Sequence, residues 1–277
     1  MGHTKGLEYL RTDILPNMWC AGCGNGIVLS AMLRAFAALK LERRELVVVT
    51  GIGCWGKVDD YTTVNALHTT HGRALSFATG VKAANPALKV LVLMGDGDGA
   101  TIGGNHLIHS ARRNMDLTVI MVNNFNYGMT GGQYSATTPN GSITSTTRGG
   151  NPERNFDVCE LVQAAGGNYV ARQSIAQGAL IQKRVEEALT RPGFSFIEVL
   201  SACTTLFGPN NGMKTPVEMF RMLKDKCLPA EKIAELDQST IGDCLPGGVL
   251  HDGQAPGFLS QYEAMRGRLA AARKGGR

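Results

Sequence analysis

Short apolar segments alternate with longer segments of helical periodicity along most of the chain. Residues 46–50, 90–94 and 117–122 form continuous, largely β-branched runs, the pattern typical of strands buried on both faces. Further strands are predicted near residues 169–171 and at 194–200, and helices at 27–39, 74–84, 106–113, 158–165, 175–189 and 215–226. Strands that alternate with helices predict an α/β domain with a mainly parallel sheet and helices on both faces.

Polar residues collect where two neighbouring strands of this pattern end. The strand at residues 90–94 stops at Gly95-Asp96-Gly97-Asp98-Gly99-Ala100, and the strand at 117–122 runs into Asn123-Asn124-Phe125-Asn126-Tyr127-Gly128. Ligands of open α/β sheets bind at the carboxyl ends of the strands. We therefore expect a binding site built from these two loops.

The glycine-rich turn has two interpretations. Gly95-x-Gly97-x-x-Ala100 matches the dinucleotide fingerprint, with Asp116 at a suitable distance for a ribose contact. That fingerprint brings bare backbone N–H groups to a pyrophosphate, whereas the carboxylates of Asp96 and Asp98 would repel one. A nicotinamide dehydrogenase therefore remains the weaker alternative.

A divalent cation would remove the charge conflict. Mg²⁺ takes oxygen ligands in octahedral geometry, usually from one or two carboxylates together with phosphate oxygens. Asp96 supplies a carboxylate, the Asn123-Asn124 pair supplies amide oxygens, and Asn126 supplies a backbone carbonyl. The sequence therefore favours a magnesium–diphosphate site.

Composition narrows the class of protein. The chain has 277 residues, 43% hydrophobic and 18% charged, with a net charge of +5 and no basic stripe interleaved with aromatics. We therefore expect no nucleic-acid partner. No apolar stretch reaches the length of a membrane span and no signal sequence is visible, which predicts a cytoplasmic protein without a membrane segment. Seven cysteines in such a protein indicate metal binding or catalysis rather than disulfides.

The first cysteine pair is ambiguous when taken alone. Cys20-x-x-Cys23 fits a redox dithiol, a zinc knuckle or half of an iron–sulfur site. No strong strand precedes it, and no second pair of this spacing is near, which disfavours the first two. Cys54 and Cys203 each follow a predicted buried strand, and four thiolates at one place would suit a [4Fe–4S] cluster. The remaining cysteines are expected to be inert: Cys159, Cys227 and Cys244.

Taken together, these motifs resemble a known family. Gly95-Asp96-Gly97 followed by Asn124 is similar to the thiamine diphosphate motif. The continuation Asn126-Tyr127-Gly128-Met129-Thr130-Gly131-Gly132-Gln133 resembles the β subunit of 2-oxoacid:ferredoxin oxidoreductases that act on 2-oxoglutarate. The resemblance covers roughly residues 10–227. It implies a three-layer thiamine diphosphate-binding fold with a mainly parallel sheet.

The resemblance also implies roles for individual residues. Mg²⁺ would be held by Asp96, Asn124 and Asn126, and the [4Fe–4S] cluster by Cys20, Cys23, Cys54 and Cys203. Thiamine diphosphate would be contacted by Ile52, Gly53, Cys54, Trp55, His71, Gly72, Arg73, Ala74, Gly95, Gly97, Asp98, Gly128 and Met129. Lys57, paired with a substrate carboxylate, and His71 are the candidate catalytic residues.

The implied reaction is CoA-dependent oxidative decarboxylation of a 2-oxoacid to acyl-CoA and CO₂, or its reverse, with electrons passed through the cluster to ferredoxin. With 2-oxoglutarate the product would be succinyl-CoA. Pyruvate or branched-chain 2-oxoacids remain alternative substrates. A non-oxidative thiamine diphosphate decarboxylase or carboligase, and a pure electron-transfer subunit, are rival functions.

The resemblance further implies a partner subunit. No glutamate stands in a recognisable context for activating the cofactor, so a separate α subunit would supply it, in an α2β2 complex. We divide the chain into an N-terminal arm at residues 1–19, a cofactor domain at 20–227 and a C-terminal arm at 228–277. The aperiodic loop at 134–155 and the C-terminal arm are the expected contacts for the α subunit.

Overall fold

The computed structural model describes residues 6–236 and 244–275, and their strands form one eight-stranded sheet. The strand order is β2-β1-β3-β4-β6-β5-β8-β7. The strands are β1 (Leu46–Thr50), β2 (Asn65–His68), β3 (Lys89–Gly95), β4 (Thr118–Asn123), β5 (Tyr169–Ser174), β6 (Ser195–Leu200), β7 (Cys227–Pro229) and β8 (Leu245–Asp252). Strands β1 to β6 run parallel to one another, and β8 runs antiparallel to β5.

Helices cover both faces of this sheet, which makes the three layers that the sequence predicts. They are α1 (Asn25–Ala38), α2 (Ala74–Ala84), α3 (Gly104–Arg112), α4 (Val158–Ala165), α5 (Gly178–Thr190), α6 (Phe207–Asn210), α7 (Pro216–Lys226), α8 (Ala230–Ala234) and α9 (Phe258–Gly275). Side chains from α1 and α5 share one buried cluster, and those from α2, α3 and α4 share the other. Within residues 6–236 and 244–275, no helix is long and apolar enough to cross a membrane.

The alternation of side chains along each strand explains the two cores. On β1, Val48 joins the cluster under α1, whereas Val47 and Val49 join the cluster under α2. Strands of a parallel sheet have both faces covered, so they read as continuous apolar runs instead of alternating ones. The α/β class and the mainly parallel sheet are therefore confirmed.

The structure differs from the sequence-based expectation at the edges of the sheet. The exposed strand β2 was not predicted, because it is short and lacks an apolar run. Strand β8 and helix α9 lie in the segment expected to be an arm with a frayed basic end at residues 266–277. Parts of the two predicted arms, residues 1–5, 237–243 and 276–277, lie outside the described residues. The helix expected from residue 175 begins at Gly178, after a 3₁₀ turn at Ile175–Gln177 that the Ser174 hydroxyl caps.

Candidate active site

Asp96 lies at the carboxyl end of β3, and its side chain is fully buried. One carboxylate oxygen, Oδ2, accepts hydrogen bonds from the hydroxyls of Ser135 at 2.6 Å and Thr137 at 2.8 Å. The other, Oδ1, accepts the backbone N–H of Asn124 at 3.4 Å. The chain then continues as a π-helical turn, Gly97–Ile102, a rare conformation that is frequent at functional sites.

Oxygen atoms from the loop after β4 converge on Asp96. One terminal atom of the Asn124 side-chain amide lies 2.7 Å from Asn126 O, 3.1 Å from Asp96 Oδ1 and 3.2 Å from Asn126 Oδ1. If this atom is the amide nitrogen, it donates to all three oxygens. Rotating the amide by half a turn places its oxygen there instead, and the four oxygens then need a cation between them. Phe125, between the two asparagines, holds a left-handed backbone with φ 66°.

These residues fit a magnesium ion by the chemistry of their donor atoms. The set contains one carboxylate, two side-chain amides and one backbone carbonyl, all oxygen donors of the kind that Mg²⁺ accepts. The Asn126 Nδ2 atom is buried and has no hydrogen-bond partner among the described residues, so this loop leaves one polar atom unpaired. Burial raises the pKa of Asp96 to about 6, an effect that the Ser135 and Thr137 hydroxyls oppose. A cation beside the carboxylate would oppose it further.

Asp98, two residues on, points to a different part of the site. Its Oδ1 atom accepts hydrogen bonds from His71 Nδ1 at 2.5 Å, Gly72 N at 2.7 Å and Ile52 N at 3.3 Å. Its Oδ2 atom is buried and has no partner among the described residues. Asp98 therefore ties the loops after β1 and β2 to the π-helical turn. The two carboxylates diverge in this structure.

Two glycines permit these close approaches. A Cβ atom on Gly51 would lie 1.9 Å from Asp98 Oδ2, so any side chain there would displace the carboxylate. A Cβ atom on Gly97 would lie 2.4 Å from the ring of Tyr127, whose hydroxyl donates to Gly97 O at 3.0 Å. Both positions require glycine for steric reasons.

Three loops bring the predicted cluster cysteines together. The Cys20–Cys23 loop is held against the segment after β6, because Cys23 O accepts hydrogen bonds from Ser201 Oγ at 2.6 Å and Ala202 N at 3.2 Å. The loop after β1 joins through Trp19, whose Nε1 donates to Cys54 O at 2.6 Å. Cys20, Cys23, Cys54 and Cys203 all line one cavity of about 190 Å³.

The thiols in this cavity influence one another. The pKa of Cys54 is raised to about 11, mainly by burial and in smaller part by the charges of Cys203, Cys20 and Cys23. Among the described residues, no three His, Cys, Asp or Glu side chains are arranged to hold a single ion. In an iron–sulfur cluster each thiolate binds a separate iron, so the ligands can stand around a cavity instead of one point. The four thiols fit such a group.

The cysteine cavity shares a wall with the cleft at Asp96. Five residues line both: Asn25, Cys54, Asn124, Gly128 and Met129. Asn25 is 4% exposed at the start of α1, and its side chain makes no hydrogen bond to any residue in the described part of the chain. A Cβ atom on Gly128 would lie 3.4 Å from Asn124 Nδ2 and 3.6 Å from Cys203 Sγ, so the backbone here passes between the two sites.

Most of the predicted cofactor residues lie in the cleft. They are Ile52, Gly53, Cys54, Trp55, His71, Gly95, Asp96, Gly97, Asp98, Asn124, Asn126, Gly128 and Met129. Gly72 lies beside it, since its backbone N–H binds Asp98. Ala74 is buried at the start of α2 and does not line the cleft.

Two charged candidates stand outside the cleft. The Lys57 ammonium pairs with Asp60 at 2.6 Å, and neither residue lines the cleft. Contact with a substrate would require this ion pair to open. The Arg73 guanidinium donates to the carbonyls of Gly72 and Ile102 and likewise does not line the cleft. The orientation of these side chains could not be predicted from the sequence, because their loops have no periodicity.

Sequence reasoning missed the contribution of three residues. Ser135 and Thr137 belong to the aperiodic loop at residues 134–155, which was expected to face a partner, and both are 2% exposed. Asn25, next to Cys23, was not singled out. The density of hydroxyl residues in that loop was a signal, because buried carboxylates need donors.

Comparison with known proteins agrees with this geometry. Residues 51–199 match the family model described as thiamine pyrophosphate enzyme, C-terminal TPP binding domain. The chain is 47% identical over 259 residues to the 2-oxoglutarate synthase subunit KorB of Methanothermobacter marburgensis, covering 94% of this chain and 91% of that protein. The corresponding subunit of Methanocaldococcus jannaschii is 41% identical over 95% of this chain and 97% of its own length.

A solved structure has the same fold. It is described as 2-oxoglutarate:ferredoxin oxidoreductase from Magnetococcus marinus with 2-oxoglutarate, coenzyme A and succinyl-CoA bound. The TM-score is 0.85 at 29% identity, over 98% of this chain and 92% of that one.

Proposed function

Because the chain belongs to the family of 2-oxoacid:ferredoxin oxidoreductase β subunits, we propose that it carries the cofactors of an enzyme that oxidises 2-oxoglutarate. The reaction is CoA-dependent oxidative decarboxylation to succinyl-CoA and CO₂, or the reverse carboxylation. A ferredoxin is the electron acceptor. Four curated relatives, 41–48% identical over 85–95% of this chain, are all 2-oxoglutarate synthase subunits, which favours this substrate over pyruvate and branched-chain 2-oxoacids.

Thiamine diphosphate binds in the cleft at the carboxyl edge of the sheet. Bound there, the cofactor supplies carbanion stabilisation for the decarboxylation. Asp96, Asn124 and Asn126 hold the Mg²⁺ that neutralises its diphosphate, since their oxygen atoms converge. His71 is fixed by Asp98 through a 2.5 Å hydrogen bond and faces the same cleft, where it orients the ligand.

The cysteine cavity would hold a [4Fe–4S] cluster through Cys20, Cys23, Cys54 and Cys203, and a bound cluster would supply one-electron transfer. The support for this cluster is the convergence of four thiols from three loops that are far apart in sequence. Burial raises the pKa of the Cys23 and Cys54 thiols, so assembly of a cluster must displace their protons. None of the seven cysteines is paired in a disulfide, which agrees with a reducing cytoplasm.

The single observation that carries the proposal is the common wall between the two sites. The cleft and the cysteine cavity share five residues, so electrons need cross only one layer of side chains and backbone. A non-oxidative decarboxylase or carboligase has no use for this neighbouring thiol cavity. A pure electron-transfer subunit would leave the oxygen cluster at Asp96 without a purpose.

A separate α subunit completes the active site in an α2β2 enzyme. The cleft in this chain encloses about 60 Å³, whereas ligand pockets usually enclose at least about 300 Å³. No glutamate lines it within the described residues, so the carboxylate that activates the cofactor comes from the partner. CoA and the distal end of the 2-oxoacid bind mainly to that subunit.

The test is to co-express both subunits and purify the complex without oxygen. We expect about four iron atoms and one thiamine diphosphate for each copy of this chain, with CoA-dependent reduction of methyl viologen by 2-oxoglutarate. A higher kcat/KM for pyruvate would reassign the substrate. Thiamine diphosphate without iron would support the carboligase, and iron without thiamine diphosphate the electron-transfer subunit.

A further inference from the structure

A large surface groove adjoins the cysteine cavity. It has a volume of about 560 Å³, and its lining includes Trp19, Cys20 and Cys23, which also line the cysteine cavity. The groove and the cleft have no lining residue in common. The cysteine cavity therefore adjoins both the groove and the cleft, and the two are separate sites.

The lining of the groove is apolar and uncharged. Val217 is 56% exposed, Phe220 39% and Ile27 38%, and no ionisable side chain other than the two cysteines lines it. Cys20 itself is exposed. Exposed apolar side chains that form one patch with a polar border mark interaction surfaces.

Positive charge borders this apolar surface. Arg221 and Lys224 are exposed on α7, each four residues after a groove residue, Val217 and Phe220, and so one helical turn further along the same face. Neither forms an ion pair with a described residue. Two acids share the helix: Glu218 is engaged at the helix start, where it accepts the Thr215 N–H at 2.9 Å, and Asp225 is exposed after Lys224.

We propose that this groove and its basic border, which we call the α7 face, dock an acidic one-electron carrier protein that withdraws electrons from the cluster. This inference rests on the proposed function. The apolar centre supplies the contact and the cations of α7 supply the charge complementarity, which raises association rates and selects the partner. The α subunit is a poorer occupant, because it must cover the cleft, which shares no lining residue with the groove.

The electron balance requires a surface that releases its partner quickly. The 2-oxoacid, CoA-SH and two oxidised carriers give acyl-CoA, CO₂, one proton and two reduced carriers. Decarboxylation and thioester formation release two electrons, and each carrier accepts one. The carrier must therefore dock and leave twice in every turnover, which suits a small interface with an ionic border.

The test uses the full α–β complex with a small acidic plant-type ferredoxin as the probe. Val217→Asp and Arg221→Glu are compared with Ile108→Asp and Arg112→Glu on α3, a pair of the same spacing in which Ile108 is 37% exposed. We expect the two α7 variants to raise the KM for ferredoxin by about tenfold and the α3 variants to leave it unchanged. Reduction of methyl viologen, which needs no docking surface, stays at the wild-type rate in all four.

Direct binding separates this inference from the proposed function. Ferredoxin binding to the immobilised complex is measured at low and high salt. Binding that weakens in both α7 variants supports the α7 face even if the wild-type complex oxidises no 2-oxoacid. Unchanged binding in both variants, an equal loss in the α3 controls, or loss of the α subunit from Val217→Asp in native mass spectra would overturn it.

Discussion

The hydroxyl of Ser135 donates a 2.6 Å hydrogen bond to Asp96 Oδ2, although 39 positions separate the two residues in the chain. Thr137 donates to the same oxygen, so both hydroxyls hold one side of the carboxylate. The other oxygen is left facing Asn124. The aperiodic loop at residues 134–155 thus fixes the orientation of a carboxylate at the end of β3.

Asp96 should destabilise the cofactor-free protein at neutral pH. Its folded-state pKa of about 6 lies above the ordinary value, so its favourable contribution is present in acid and is lost as pH rises through 6. Without Mg²⁺ or thiamine diphosphate, Asp96→Asn should therefore gain stability over the wild type by about 2 kcal/mol at pH 7.5 and little at pH 4. Denaturant unfolding at the two pH values measures the difference, and an equal effect at both would contradict it.

The same carboxylate should make cofactor binding pH-dependent. Mg²⁺ needs ionised Asp96, so affinity for magnesium–thiamine diphosphate should fall about tenfold per pH unit below pH 6. Ser135→Ala removes a donor that lowers this pKa, and the fall should then begin at higher pH. Ser142→Ala, at a half-buried serine of the same loop that does not contact Asp96, is the control and should follow the wild type. Calorimetric titration between pH 5 and 8 gives the profiles.

The cysteines should divide into two groups. Cys54→Ala should reduce bound iron strongly, because its thiol lines the shared cavity, while thiamine diphosphate binding is largely retained. Cys227→Ser should keep its iron, since Cys227 is buried beside Gly247 and outside that cavity. Iron and sulfide analysis, together with low-temperature EPR of the reduced complex, measures the cluster content of both variants. Loss of the cluster in Cys227→Ser alone would refute the assignment.

Two glycine-to-alanine changes should change the stability of the protein in opposite directions. Gly51→Ala places a methyl group 1.9 Å from Asp98 Oδ2 and should break the link from Asp98 to His71, lowering both stability and cofactor affinity. We expect a loss of about 1–3 kcal/mol. Gly80→Ala in α2 meets nothing within 4 Å and should gain about 0.5–1 kcal/mol from helix propensity. Thermal unfolding with and without thiamine diphosphate distinguishes them.

His71 should contribute more than Lys57 to kcat/KM for the 2-oxoacid. His71 lines the cleft and binds Asp98, whereas the Lys57 ammonium is paired with Asp60 outside it. We expect His71→Ala to lower kcat/KM for the 2-oxoacid by about a hundredfold and Lys57→Ala by less than about threefold. Steady-state viologen reduction tests this. A larger loss in Lys57→Ala would mean that its ion pair opens when substrate binds.

Local patterns were sufficient for the central part of the fold. Strand β1 and helices α2 and α4 have the predicted bounds, because their apolar spacing is regular and their ends carry turn residues. Strand β2 and strand β8 were missed, since an exposed strand gains its stability from a neighbour and not from its own apolar pattern. Strand β8 pairs antiparallel with β5, more than seventy residues away in sequence.

The sequence by itself determined which residues reach the edge of the sheet. Parallel strands all end on one side, so Asp96, Asn124, Cys54 and Cys203 had to lie there once their strands were recognised. Only the tertiary structure decided how these side chains are used. It turned Asp98 toward His71, kept Lys57 outside the cleft and brought Ser135 to Asp96. Those outcomes depend on contacts between distant loops, which share no periodicity that a linear pattern could reveal.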